Sequence, residues 1–511
     1  MKQPLIEDIS PLSPLIFVPI LILIAVNVWH HALWGDELHA WGLTLASPHL
    51  VDLFLNLRYE GHPGLWHLLL WCASSVSASP VAMQLVHIVI TTGIILLIAV
   101  SAPFSRLEKA LLLLNYYLVY EYTVIARNYG LALLLAMIYS RVRAEARDRP
   151  IVVGILLGAM GNTNVYAFAL SGMLGLEYAW NGMIATRRFA NVGYARVILG
   201  GSIYCALMLF CAATVWPPAD ISHHSQQPIG AQLHDAGRFG LQLLRTAVAP
   251  FFPVDLSFPA SFAFPGNIYE NGKRVWLSLA LLPVIVIALG ITFRRQPRFL
   301  LVIGGTALIA AGFSFAVYPS AIRHMGVVFT AFVALLWVIR AESRVRLMPA
   351  RRRWNPESIA VLGLLALGAL GGGFALAGQW MRPFAVNDAV VRWLAAHEAP
   401  DMALVGFPDM RVEPVAVLMH RRFYALDCRC EDSYVRFLNR RDGFTEAMVP
   451  ERLEEAVRLY YPRPVVLLTG DPLAEETRTA IRARGLALTE RIHLTGAERD
   501  KEMTIFEVAR R

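Results

Sequence analysis

Long apolar runs alternate with short polar segments along most of this chain. Most of these runs approach about 17–25 residues, the length at which an apolar helix crosses a bilayer. The pattern predicts an α-helical polytopic membrane protein with about eleven spans, although the runs at 128–141 and 150–182 are short and leave the number open. The predicted spans are 14–33, 80–102, 108–124, 128–141, 150–166, 167–182, 196–215, 274–293, 299–317, 322–340 and 357–378.

A shorter apolar run at 65–78 is predicted to lie along the membrane surface. It begins after the His62-Pro63 step, which favours a helix start, and Ser74 interrupts its end. Leaving this run outside the bilayer also puts every strongly basic loop on one side. The segment 34–80 is therefore predicted to be an outer loop that carries interfacial helices.

Basic residues cluster in the short loops between the apolar runs. The positive-inside rule places these loops in the cytosol. The N-terminus is then cytosolic, and the loops at 34–80 and 216–272, with the chain after 379, lie outside the plasma (inner) membrane. No basic n-region or cleavage site precedes the first run, so we expect it to remain as an anchor. The basic clusters are Arg106/Lys109, Arg141–Arg149, Arg187–Arg196, Arg294–Arg298 and Arg340–Arg353.

The composition and the placement of charge exclude a soluble protein and a nucleic-acid-binding protein. Of the 511 residues, 56% are hydrophobic and 16% are charged, with a mean hydropathy of +0.49. A soluble chain of this length needs a much more charged surface. The net charge of +8 would suit nucleic acid, but the basic residues lie between apolar runs, where membrane topology uses them. A nucleic-acid partner is excluded for that reason.

The chain after residue 378 has a different pattern. Its strand-like and helical runs predict a small soluble α/β domain that faces outward. This domain is expected to span 379–511, and residues 1–378 are expected to form the transmembrane domain. Cys428 and Cys430 in the tail are predicted to be too close for an ordinary disulfide, and they lack zinc-site spacing. The strand-like runs are 403–406, 464–469 and 503–508, and the helical run is 472–484.

Asp36 and Glu37 stand where the first apolar run ends, just after Trp34. One interpretation is a helix cap, because Asp accepts backbone N–H bonds at a helix start and Glu suits a first turn. The other makes Asp36 a catalytic general base that faces an acceptor, with Glu37 supporting it. A divalent metal held by Asp36, His39 and His62 is conceivable but not required, because this spacing is not diagnostic.

Three arginines are predicted to reach the same outer face as Asp36. The simpler interpretations are that Arg58 pairs with Glu60 and that Arg127 snorkels to the interface. A guanidinium also matches the oxygens of a phosphate, so we expect these residues to bind an anionic substrate. A shared site requires Asp36 and Arg127 within about 10 Å of each other. The substrate-binding candidates are Arg58, Glu60, His62, Glu121, Arg127, Tyr129, Arg323 and His324.

Three motifs lie at the outer ends of the first spans: Trp34-x-Asp36-Glu37, Glu60-Gly-His-Pro-Gly-Leu-Trp66 and Ala126-Arg-Asn-Tyr129. Together they resemble the GT-C superfamily of membrane glycosyltransferases, in the branch of the protein O-mannosyltransferases and the lipid A aminoarabinose and galacturonic acid transferases. The resemblance implies that Asp36 is the catalytic acidic residue of the first outer loop. It also implies a second acidic residue near the second outer turn, for which Glu121 is the candidate. His62-Pro63-Gly64 departs from the His-Pro-Pro or Lys-Pro-Pro step of the family.

The resemblance implies a glycosyltransferase that moves a hexosyl or pentosyl group from a polyprenyl-phosphate-linked donor to a lipid, glycan or protein acceptor of the cell envelope. Membrane physics favours such a donor, because a charged nucleotide sugar made in the cytosol cannot cross the bilayer unaided. The alternative is a transporter, a flippase or a polysaccharide export component without transferase activity. Transporters place charges near the bilayer midplane and commonly have repeated halves.

Overall fold

A computed structural model of the chain describes residues 11–145, 148–221, 236–254, 275–317, 321–345, 355–397, 399, 401–496 and 502–510. Most of the predicted loop at 216–272 therefore lies outside the described residues. The helices before the C-terminal domain are α1 (Pro14–His30), α2 (Gly35–Leu45), α3 (Leu50–Leu57), α4 (Leu65–Ser74), α5 (Val81–Leu96), α6 (Arg106–Leu113), α7 (Asn128–Arg143), α8 (Pro150–Gly161), α9 (Val165–Trp180), α10 (Tyr194–Val215), α11 (Ala236–Val248), α12 (Val275–Phe293), α13 (Arg298–Ala316), α14 (Ile322–Val345) and α15 (Pro356–Met381).

Six of the described helices are long and apolar enough to cross a membrane. They are α5 with its π-helical extension to Ser101, α10, α12, α13, α14 and α15. The pair α1 and α2 has the composition of one more span, but the chain bends by 73° between them. The predicted spans at 128–141, 150–166 and 167–182 correspond to the shorter helices α7, α8 and α9. The chain is a multi-pass membrane protein, and the total of eleven spans stays a prediction.

The predicted continuous span at 108–124 is wrong, because the helix breaks in its middle. α6 ends at Leu113, and a separate π-helical turn covers Tyr117–Glu121. Asn115 stands at the break, where its side-chain oxygen accepts a hydrogen bond from the Tyr117 backbone N–H at 3.2 Å. An asparagine that satisfies a nearby backbone donor offers the chain an alternative to a continuing helix.

α4 has the length expected of the predicted interfacial helix. Its 10 residues rise about 15 Å, which is half of the hydrocarbon thickness of a bilayer. Trp71 in this helix donates a hydrogen bond to the Ser47 carbonyl at 2.8 Å, and Trp41 of α2 donates one to Ala78 at 2.9 Å. These bonds tie the two short helices of the first outer loop together.

Charged side chains form a layer at one end of the membrane helices. Arg340 of α14 pairs with Glu108 of α6 at 2.8 Å, and Arg298 of α13 pairs with Glu177 of α9 at 2.9 Å. Arg143, the last residue of α7, lies 3.9 Å from the same Glu177. Loops that were predicted to share a membrane face are therefore in direct contact, and α7 and α14 both begin at the opposite end of the membrane region.

The C-terminal domain is built on a mixed six-stranded sheet with the strand order β3-β2-β1-β4-β6-β5. β1 pairs in parallel with β2 and β4, and the other pairs are antiparallel. The strands are β1 (Ala403–Phe407), β2 (Phe423–Ala425), β3 (Cys430–Asp432), β4 (Val465–Thr469), β5 (Leu486–Leu494) and β6 (Met503–Arg510). All three strands predicted from the sequence are present.

Helices cover both faces of this sheet. α16 (Asn387–His397) and α17 (Asp409–Leu418) pack on one face, and α18 (Val449–Tyr460) and α19 (Glu475–Ala483) pack on the other. α19 is the helix predicted at 472–484. The predicted fold class, helical membrane protein with a small α/β domain, is confirmed.

The prediction that Cys428 and Cys430 are not bonded to each other is wrong. The two residues form a disulfide with their Cα atoms 5.2 Å apart, at the turn between β2 and β3. Arg429 between them has a φ of 53°, in the left-handed region. This unusual turn brings two side chains that would normally point apart to the same side of the chain.

Candidate active site

The bend between α1 and α2 sets the position of Asp36. α1 ends at His30 and α2 starts at Gly35, so Asp36 lies in the first turn of the second helix. The capping interpretation applies to Glu37 instead, because the Glu37 carboxylate accepts a hydrogen bond from the backbone N–H of Trp34 at 3.2 Å. The Asp36 side chain thus has other partners.

Two arginines from distant helices meet at the Asp36 carboxylate. Arg323 Nη2 donates to Asp36 Oδ2 at 3.1 Å, and Arg127 Nη2 lies 3.6 Å from the same oxygen. Arg127 also donates through Nη1 to the backbone carbonyl of Asp36. The predicted approach of Asp36 and Arg127 is confirmed, and the Asp36 side chain keeps 32% of its surface exposed.

The charges around Asp36 favour its ionised form. Burial raises the pKa of a carboxyl group, but the guanidinium groups of Arg127 and Arg323 outweigh burial here and hold the pKa of Asp36 below its usual value. The nearby imidazolium of His39 acts in the same direction. Asp36 is therefore deprotonated before any substrate binds, as a general base must be.

The two guanidinium groups are positioned by their own surroundings. Arg323 lies over the indole ring of Trp34, 5.2 Å from its centroid. Arg127 is the residue that precedes α7, and its buried Nε has no hydrogen-bond partner among the described residues. A buried donor left unsatisfied costs about 1–3 kcal/mol. An anion with several oxygens could satisfy it, which makes this cluster suitable for a phosphate.

Glu37 acts as a structural link between the first two outer segments. Its side chain is fully buried, and it lies 2.9 Å from His31 Nε2. Its other oxygen accepts a hydrogen bond from the Ala126 backbone N–H at 2.6 Å. Ala126 immediately precedes Arg127, so Glu37 links the first turn of α2 to the turn that carries Arg127.

His39 connects the first outer loop with the C-terminal domain. Its Nδ1 lies 2.8 Å from Glu413 Oε1 of α17, and its Nε2 lies 2.7 Å from Glu60 Oε2. Burial disfavours the charged ring, but the carboxylates of Glu413 and Glu60 outweigh burial and raise the pKa of His39 well above its usual value. The ring is therefore an imidazolium between two carboxylates.

His62 is the neutral neighbour of this cluster. Burial, and then the charge of Arg127, lower the pKa of His62 despite the opposing effect of Glu60. Its Nδ1 donates to the carbonyl of Glu60 at 2.8 Å.

The hypothetical metal site of Asp36, His39 and His62 is not assembled, since both ring nitrogens of His39 face carboxylates. Among the described residues, three side chains of ligand type come together only at Cys428, Cys430 and Asp432, where the disulfide between the two cysteines leaves no thiolate for a metal.

Four predicted substrate-binding residues have other contacts. Arg58 donates through Nε to the Trp216 carbonyl at 3.1 Å. Glu121 is buried and accepts a hydrogen bond from the Tyr116 hydroxyl. The Tyr129 ring stacks on Tyr122 with centroids 5.6 Å apart, and the His324 ring stacks on Tyr166 with centroids 4.7 Å apart. The structure thus brings Arg127 and Arg323 to Asp36 and leaves Arg58 outside this cluster.

Sequence reasoning missed Glu413. It is 374 positions from His39, inside a short, mostly buried helix of a domain that carried no functional motif. A buried glutamate in such a helix gives no pattern that distinguishes it from a surface residue. Only the tertiary contact between α17 and α2 identifies it.

The comparisons with known proteins concern the whole chain. No protein-family model matches it, and no curated protein matches it. Among solved structures, ArnT from Cupriavidus metallidurans in the apo state superposes with a TM-score of 0.52 at 13% identity, and the match covers 96% of this chain and 97% of ArnT. ArnT is a GT-C glycosyltransferase. The chain has the GT-C fold.

The same fold recurs in a second ArnT structure, described as bound to undecaprenyl phosphate, with a TM-score of 0.51, 13% identity and the same coverage. The arabinofuranosyltransferase AftD from Mycobacteria matches at a TM-score of 0.38 over 40% of its length. The two ArnT superpositions confirm the fold that the outer-loop motifs implied. Within this GT-C fold, Asp36 lies in the first loop at the end of the membrane helices where α7 and α14 begin.

Proposed function

We propose that the chain is a membrane glycosyltransferase that transfers a sugar from a polyprenyl-phosphate-linked donor to a lipid, glycan or protein acceptor. The observation that carries this proposal is the Asp36 carboxylate between two arginines, at one end of the helices of a GT-C fold. The ArnT structure with undecaprenyl phosphate supports a donor of this lipid class.

In the proposed reaction, Arg127 and Arg323 bind the donor phosphate and Asp36 receives the acceptor proton. The acceptor oxygen forms a bond to the anomeric carbon while the bond from that carbon to the phosphate oxygen breaks. The electron pair of the broken bond stays on the phosphate, where the two guanidinium groups stabilise the added charge. The products are the glycosylated acceptor and the polyprenyl phosphate.

Asp36 and the donor phosphate compete for the same guanidinium groups. Before the donor binds, Arg127 and Arg323 hold the pKa of Asp36 low and make it a weak base. A phosphate that draws these cations away from the carboxylate raises the pKa of Asp36, and the base becomes stronger when the donor is in place.

We place this site at the outer face of the plasma (inner) membrane, with the N-terminus in the cytosol and the C-terminal domain outside. The support is the layer of basic residues at the other end of α7 and α14, which includes Arg143 and Arg340.

The test uses full-length protein in nanodiscs, titrated with undecaprenyl phosphate and observed by native mass spectrometry. We expect Arg323→Gln to weaken binding about tenfold, because it removes one of the two cations at Asp36. Arg58→Gln is the matched control, because Arg58 is an outer-loop arginine that donates to the Trp216 carbonyl. We expect this substitution to change the affinity for undecaprenyl phosphate by less than about threefold.

The same preparations are then given a panel of undecaprenyl-phosphate-linked pentoses and hexoses with an envelope lipid and glycan extract. Wild-type protein that transfers none of the sugars and does not retain undecaprenyl phosphate would contradict the proposed function. Movement of a lipid across the bilayer without a new glycosidic bond would favour a flippase.

A further inference from the structure

A chain of buried charges links the C-terminal domain to the loop that carries Asp36. His39 of α2 lies between Glu413 of α17, 2.8 Å from its Nδ1, and Glu60 of the first outer loop, 2.7 Å from its Nε2. The side chains of Glu413 and Glu60 are only 2% and 5% exposed. An imidazolium has an N–H group on each ring nitrogen, so it can face a carboxylate on both sides, as His39 does here.

The ion chain of Glu413, His39 and Glu60 is connected to Asp36 through two segments of the protein. His39 lies one helical turn after Asp36 on the same helix, so fixing the His39 ring also fixes the first turn of α2. Glu60 is two residues before His62, whose Nδ1 donates to the Glu60 carbonyl. Both segments that flank Asp36 are therefore held by one residue of the C-terminal domain, Glu413.

The contact between α2 and α17 is also sterically close. A Cβ atom added at Gly42 would lie 2.9 Å from Val417 Cγ2 and 3.5 Å from Glu413 Oε1. Only a glycine permits this approach at the position next to the ion chain. Close backbone contact and a buried ion chain together indicate one defined docking position for the C-terminal domain.

We propose that Glu413 and His39 are positioning residues of the active site, through which the C-terminal domain holds Asp36 in place for transfer. This rests on the proposed function for the identity of the reaction. Glu413 and His39 do not touch the reacting atoms in this scheme. They set the orientation of the first turn of α2, which carries Asp36, and of the segment from Glu60 to His62.

The test compares Glu413→Gln with Arg436→Gln in the full-length protein. Arg436 also joins the two parts of the molecule, with its Nη2 2.7 Å from Asn56 Oδ1, so it controls for general loosening of the interface. Backbone hydrogen exchange of residues 36–45 is measured at pH 6.5 and 8.5, after correction for the intrinsic rate. The titratable groups around His39 are Glu413, Glu60, Tyr434, Asp36 and His67.

We expect exchange of residues 36–45 at pH 8.5 to be about tenfold faster in Glu413→Gln than in wild type, and nearly equal at pH 6.5. Neutralising Glu413 removes the carboxylate that does most to raise the pKa of His39, so the ring is expected to lose its proton more readily as the pH rises. A merely structural contact would not give this pH dependence. Arg436→Gln should show about the same small change at both pH values.

A second pair of variants, His39→Gln alone and together with Glu413→Gln, keeps the test decisive even if Glu413→Gln does not fold properly. His39→Gln leaves two buried carboxylates facing each other, and adding Glu413→Gln removes that repulsion, so the double variant should exchange more slowly than His39→Gln alone. Equal exchange in Glu413→Gln and Arg436→Gln at both pH values would overturn the inference. That result would say nothing about the binding of undecaprenyl phosphate to the wild type. Absence of this binding would count against the proposed function and not against the positioning role of Glu413 and His39.

Discussion

Asp36 is held by the same cations that the proposed donor phosphate would need. Asp36→Asn keeps the shape of the side chain and removes its negative charge, so the base is lost while the fold is kept. We expect sugar transfer to fall about 10²-fold or more, with undecaprenyl phosphate binding retained or strengthened because the arginines lose a competitor. The measurements are the rate of transfer and the binding titration. Near-normal transfer by Asp36→Asn would remove Asp36 from the reaction.

Arg127 contributes a planar group that contacts both the side chain and the backbone carbonyl of Asp36. Arg127→Lys keeps the charge but replaces the fork with a single ammonium group. We expect undecaprenyl phosphate to bind about tenfold more weakly to Arg127→Lys than to wild type. Equal affinity for the two proteins would mean that Arg127 serves only as a point charge at the interface.

His39 makes the stability of the protein depend on pH in a defined direction. Its pKa is raised above the value in the unfolded chain, so its stabilisation is fully present below the unfolded pKa and is lost as the pH rises through the folded pKa. We expect the unfolding temperature of the wild type to fall between neutral and alkaline pH more steeply than that of the His39→Gln/Glu413→Gln double variant. Differential scanning fluorimetry of both proteins over this range measures the difference.

At the scale of elements, the packing of α2 against α17 depends on one small residue. Gly42→Val would force the helices apart, because even a Cβ atom meets Val417. Overpacking of this kind costs about 1–3 kcal/mol, so we expect a lower unfolding temperature and slower transfer. Gly172→Val in α9 is the control, since nothing lies within 4 Å of a Cβ there and the unfolding temperature should change little. Equal effects of the two substitutions would exclude a special role for the Gly42 contact.

Hydrophobic periodicity predicted most helices because membrane burial acts on each segment separately. The same reasoning missed the break at Asn115, where one side-chain hydrogen bond outweighs an apolar pattern. Asp36, Arg127 and Arg323 could be predicted together because topology alone puts them at one membrane face. The Glu413 contact and the orientation of Arg58 depend on how distant segments fold onto each other, and neither leaves a local pattern in the sequence.

At the scale of the whole molecule, the two charged layers should lie on opposite sides of the membrane. A reporter that is active only in the cytoplasm, fused after Arg510, is expected to be silent, because the basic layer around Arg340 faces the cytosol. The same reporter inserted at residue 350 should be active. Activity of the fusion after Arg510 would reverse the orientation and place the proposed site on the cytosolic side.

The ion chain from Glu60 through His39 to Glu413 also limits how this protein can be recombined. A C-terminal domain with an apolar residue at position 413 would leave the His39 ring without its partner in α17, and only Glu60 would remain beside it. One buried ring nitrogen of His39 would then lack a hydrogen-bond partner, and such groups are costly. An exchanged C-terminal domain is therefore expected to keep this junction only if it also supplies a carboxylate at position 413.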